Sequence, residues 1–93
     1  MEVNLRLLYH PDIIKEDLPK IPKNLQVRIR RAIETRLLQN PLLVGEPLRK
    51  SLKGYRKLRV GDYRVIYRVE KRDIFIFIIG HRREVYRKVL HRR

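Results

Sequence analysis

The sequence predicts an α+β fold: an N-terminal strand, then two helices packed on one face of a twisted, mainly antiparallel sheet. Three observations carry this expectation. Residues 3–9, "VNLRLLY", alternate apolar and polar, the period of a half-buried strand. Residues 23–39 space Leu25, Ile29, Ala32, Ile33 and Leu37 as one face of a helix. Beyond residue 54 three strand-like runs follow in succession, the first two joined by Gly61-Asp62, a two-residue hairpin signal.

Each element has its own warrant. In the first strand Val3, Leu5, Leu7 and Tyr9 share a face. "HPDIIKEDLPKIPK" offers Asp12 as a cap for a short helix that Pro19 ends or closely follows. Pro22 opens the longer helix and Asn40-Pro41 closes it, while Arg28, Arg30, Arg31 and Arg36 project from its other faces. Such a basic amphipathic helix suits either a membrane surface or a sheet, and in so short a chain the sheet is the expected neighbour. Residues 40–54, with two prolines and two glycines, read as a connection. The strands are expected at about 55–60, 63–69 and 73–79. The last, "DIFIFII", is apolar on both faces and is expected in the middle of the sheet. "GHRREVYRKVLHRR" is too short and mixed to assign.

Length and composition bound the function. Ninety-three residues suit a single domain, 1–93, with a modest core. There is no cysteine, so disulfides and thiolate metal sites are excluded, and the scattered histidines and few acids suggest neither a metal nor another cofactor. No apolar run approaches the length of a bilayer span and the N-terminus lacks a secretory layout, so the expected location is the cytoplasm, without a membrane partner. Twenty-four Lys and Arg against ten Asp and Glu leave a net charge of +14. Self-repulsion on that scale opposes compactness, which points to a polyanionic partner. A thermophile's Arg-rich surface is the other source of such composition, but it normally balances the two signs.

"KLRVGDYRVIYR" sharpens the point. With a reversal at Gly61-Asp62, Val60 faces Tyr63, Arg59 faces Arg64, Leu58 faces Val65 and Lys57 faces Ile66. One face then collects Leu58, Val60, Tyr63, Val65 and Tyr67. The other collects Tyr55, Lys57, Arg59, Arg64, Ile66 and Arg68. Arginines directly opposite one another repel, at a cost of a few tenths to about 1 kcal/mol. The face is either solvated surface or an anion-binding shelf. The scarcity of acids on it favours the shelf, whose guanidinium forks match phosphate oxygens. The tail adds His81, Arg82, Arg83 and Tyr86 at one end of the sheet. Tyr86 is either a base-stacking ring or a core residue, and His81 either a proton donor or plain surface.

"LKGYRKLRVGDYRVIY" followed by "HRREVY" resembles the RelE/ParE superfamily of toxins from toxin–antitoxin pairs, and the order of elements matches over nearly the whole chain. The resemblance implies a small α+β domain and one of two activities. RelE-like members cut messenger RNA, commonly on the translating ribosome; ParE-like members poison DNA gyrase. By position Lys57 matches a family lysine, Arg64 the arginine after the hairpin, Arg82 the late arginine and Tyr86 the late tyrosine. The first family lysine falls at Tyr55, and His81 stands where a lysine precedes the late arginine. "EPLRKSLKGY" is similar to the loop of YoeB-type members, which makes Glu46 a candidate general base, or else a loop acid paired with an arginine. His81 is then the candidate acid, although here His81 and Tyr86 are neither adjacent nor terminal.

On this reading the RNA 2′-hydroxyl attacks the adjacent phosphate, and Lys57, Arg59, Arg64 and Arg82 stabilise the added charge. Tyr55, Arg68 and Arg83 extend the phosphate- and RNA-binding surface. The implied partners are messenger RNA, the ribosome and an antitoxin bearing an acidic or amphipathic segment, with no small-molecule cofactor. A plain basic nucleic-acid-binding module is the remaining alternative.

Overall fold

The computed structural model describes residues 4–92. Its centre is a five-stranded sheet of β1 (Arg6–Tyr9), β2 (Glu46–Pro47), β3 (Arg56–Val60), β4 (Tyr63–Glu70) and β5 (Asp73–His81), in the order β1-β5-β4-β3-β2. β1 runs parallel to β5 and every other pairing is antiparallel. β5 is interior, as its two apolar faces require, although β4 is the middle strand. Val3, assigned to the first strand from the alternation, lies outside the described residues.

The two N-terminal helical segments precede and follow Pro22. A wide helical turn at Ile13–Asp17 runs into a tighter one at Leu18–Lys20, with Pro19 inside it. Asp12 stands at the cap position but its side chain makes no capping bond; its own N–H is donated to His10 Nδ1 at 3.1 Å. Helix α1 (Lys23–Ala32) follows and continues as a wider turn over Ile33–Leu37. Ile29, Ile33 and Leu37, the helical-period positions, are buried against Leu58, Val60, Val65, Tyr67, Ile74 and Ile76. This is the apolar face read from the hairpin.

The β3–β4 register is the one that Gly61-Asp62 dictates: Arg59 stands opposite Arg64, Leu58 opposite Val65 and Lys57 opposite Ile66. Gly61 takes φ +60°, which an L side chain adopts only with strain. Between β4 and β5 the pairing slips at Ile66/Tyr67, so that Tyr67 meets Ile76 and Phe77 bulges.

The tail forms helix α2 (Val85–Arg92), and here the architecture exceeds the expectation. α2 crosses the opposite face of the sheet, where Val85 and Val89 seal Ile66 and Ile78 into a second core. The connection 40–54 likewise hides a strand. Arg56 donates to the carbonyls of Leu42 (2.7 Å) and Gly45 (2.8 Å), and Tyr67 donates its hydroxyl to Pro41 O at 2.6 Å. These bonds hold the loop against the sheet and bring Glu46–Pro47 into register beside β3.

Candidate functional site

β2 lays Glu46 directly opposite Lys57, so the two share the cationic face. Glu46 Oε2 lies 3.7 Å from Lys57 Nζ, and that ammonium stands 5.8 Å from the centre of the Tyr86 ring. Three segments far apart in sequence therefore meet on one lysine. Glu46 is a well-exposed carboxylate, whereas Lys57 is mostly covered. A cation over a tyrosine face contributes about 0.5–1 kcal/mol at exposed sites, which helps to seat Tyr86 and the start of α2.

One row nearer the turn stand Arg59 and Arg64. The described ion pairs of this face run through Lys57, Arg68 and Arg82, and none reaches Arg59 or Arg64. Arg59 is exposed. Arg64 is only 5% exposed, and its Nη1 donates to Gly61 O at 3.0 Å and Tyr63 O at 2.9 Å. Arg64 thus also braces the hairpin turn, which corrects the picture of a uniformly open shelf. Ile66 corrects it further: fully buried beneath α2, it separates this cationic end from Tyr55 and Arg68.

β5 returns to the turn end of the hairpin, since His81 pairs with Tyr63 and Arg82 N–H is donated to Asp62 O at 2.8 Å. Arg82 Nε lies 3.8 Å from Asp62 Oδ1, a partner the sequence offered only as a turn residue. His81 departs from the group. Opposite Tyr63 it shares the α1 side of the sheet, with ring centroids 5.6 Å apart. Its Nδ1 accepts the N–H of Arg83 at 3.2 Å. The structure brings together Glu46, Lys57 and Tyr86, sets Arg59 and Arg64 in the next row and Arg82 at the turn, and leaves His81 across the sheet. Arg83 is exposed beside His81. Tyr55 and Arg68 lie at the far end, with the Arg68 guanidinium 5.9 Å from the Tyr55 ring.

The profile of the family described as "ParE toxin of type II toxin-antitoxin system, parDE" matches residues 7–86. The chain belongs to the RelE/ParE superfamily of type II toxins. It is 34% identical over 76 residues to Toxin RelG of Mycobacterium tuberculosis, covering 80% of this chain and 87% of that one. Among solved structures, the RelBE2 toxin–antitoxin complex of M. tuberculosis matches with TM-score 0.77 and 28% identity, over 85% of this chain and 99% of that one. A mutant of toxin RelE from Escherichia coli in the free state matches with TM-score 0.74 over 96% of this chain and 93% of that one; at 17% identity it bears on the fold alone. The protein is accordingly the toxin of a toxin–antitoxin system, on a RelE-like fold.

Proposed function

We propose that this toxin is an endoribonuclease that cuts messenger RNA by attack of the 2′-hydroxyl on the adjacent phosphate. The observation that carries the reading is the convergence of Glu46 and Tyr86 on Lys57, on the face that also holds Arg59 and Arg64. Glu46 is the general base, exposed and therefore open to an incoming strand. Lys57, Arg59 and Arg82 stabilise the phosphorane, with Arg64 contributing charge while bracing the turn. The proton for the leaving 5′-oxygen comes from Lys57 or Tyr86. His81 is not needed for that step, since it shares its ring contact with Tyr63 on the other side of the sheet.

The match to the ParE profile supports a second reading, a gyrase poison without nuclease chemistry. Purified toxin incubated with messenger RNA, with and without ribosomes, separates the two. The nuclease reading expects defined RNA products, and a loss of about 10²–10³ in rate for Lys57→Met or Arg82→Ala. Full growth arrest by the double variant, or DNA breakage with intact RNA, overturns it.

The partner of this reading is a cognate antitoxin. The matching structures include the M. tuberculosis complex and the RelB–RelE complex of Methanococcus jannaschii. An acidic or amphipathic segment would associate quickly with a +14 surface, with strong salt dependence.

A further inference from the structure

The cationic face does not end at Ile66. Two residues further along both strands, about 6.6 Å at 3.3 Å per residue, Tyr55 and Arg68 open a second cluster that the proposed chemistry leaves unused. The Tyr55 and Phe77 rings lie 5.2 Å apart, and His10 meets Phe77 edge-on at 5.3 Å. The Arg68 guanidinium stands 5.9 Å from the Tyr55 ring and 5.6 Å from the Phe75 ring. With Leu8 and Pro11 these side chains line a cleft of about 320 Å³. Every ring in it remains partly exposed. Arg68 Nε lies 3.2 Å from Glu70 Oε1 but makes no hydrogen bond, so contact with the rings contributes to holding the guanidinium plane.

We propose that this cleft is a stacking subsite for one unpaired base of an RNA strand whose phosphates lie along Lys57 and Arg59. The inference rests on the ribonuclease reading and adds to it a substrate contact on the far side of Ile66. Partly exposed rings beside a guanidinium on a strongly basic face are the elements of single-strand binding: cations track the backbone and aromatic faces accept any base. Tyr55 and Lys57 stand two residues apart on one face of the chain, and Arg68 lines the cleft itself; a charged lining this close to the cationic row favours a nucleic-acid strand over an apolar peptide.

The test uses the full chain and a short single-stranded RNA made uncleavable by 2′-O-methylation, with 2-aminopurine placed at successive positions. Fluorescence anisotropy and 2-aminopurine quenching are read together. Quenching is expected at one position. Phe75→Leu weakens binding about tenfold and removes the quench, and Arg68→Gln acts in the same direction. Lys57→Met weakens binding but keeps the quench at saturation. Native affinity and a native quench in a folded Phe75→Leu, with the same result in Arg68→Gln, overturn the subsite while leaving the ribonuclease assignment intact. Continued cleavage by Lys57→Met with Arg82→Ala strikes that assignment instead.

Discussion

Removing the Asp17 carboxylate tests how the fold holds α2 over the site. β1 covers β5 only as far as Ile76, and beyond it the β5 edge takes side-chain partners. Ile79 donates its N–H to Asp17 Oδ2 at 3.0 Å, and Phe77 O accepts from Arg92 at 3.0 Å. Arg92 also grips Asp17 with both terminal nitrogens at 2.8 Å. The two side chains are 3% and 7% exposed, so the pair is buried and joins the Ile13–Asp17 turn to the last residues of α2. The hydrogen bonds from Arg92 to Asp17 raise the guanidinium's pKa despite its burial. Stripping one partner from a buried pair costs about 3–5 kcal/mol. Arg92 keeps Glu16 at 3.3 Å, which argues for the low end, about 3 kcal/mol, for Asp17→Asn. At this chain length each kcal/mol moves the midpoint by about 4–8 °C, so Tm should fall by at least ~12 °C. Thermal and urea unfolding, followed by circular dichroism, read the change. Asp17→Asn with Arg92→Met should cost clearly less than the sum of the singles. A loss below about 1 kcal/mol, or strict additivity, would refute the reasoning.

Further substitutions probe the site's supports. Arg59→Thr removes a like-charge cross-strand pair, so it should stabilise the fold by a few tenths to about 1 kcal/mol in urea melts while reducing RNA cleavage; destabilisation would show that the two arginines do not repel. Gly45→Ala sets a methyl group against the Tyr67 hydroxyl and ring, and overpacking there should cost about 1–3 kcal/mol in urea unfolding and displace Glu46, lowering cleavage as well. Burial is the main cause that raises the Tyr67 phenol pKa, against the lowering effect of Arg56. Folding therefore favours the neutral ring, and that stability is present below the unfolded value near 10 and is lost as pH rises through the folded one. Melts between pH 8 and 11 should show this decline, reduced in Tyr67→Phe.

The cationic face was legible in the sequence because Gly61-Asp62 permits one tight reversal, and a two-residue turn fixes every cross-strand partner from Val60–Tyr63 to Lys57–Ile66. The α1 core followed from its period. α2 was not legible: only Val85 and Val89 are fully buried in it, and the intervening Arg87 and Lys88 mask so short a pattern. β2 is two residues long and half proline, a strand only because Arg56 and Tyr67 anchor the preceding loop. The slip at Phe77 leaves no mark in a run apolar on both faces. The burial of Arg64 and the position of His81 depend on turn carbonyls and β4–β5 register, neither of which composition encodes. Glu46 came from resemblance, and the register with Lys57 gives it a physical place.

The most direct measurement is the single-turnover cleavage rate of messenger RNA by Glu46→Gln, which keeps the shape of the side chain and removes its basicity. If Glu46 takes the 2′-hydroxyl proton beside Lys57, the rate falls by about 10²–10⁴ with RNA affinity and Tm nearly unchanged. A variant that cleaves at the native rate would contradict the assignment of this group as the catalytic centre.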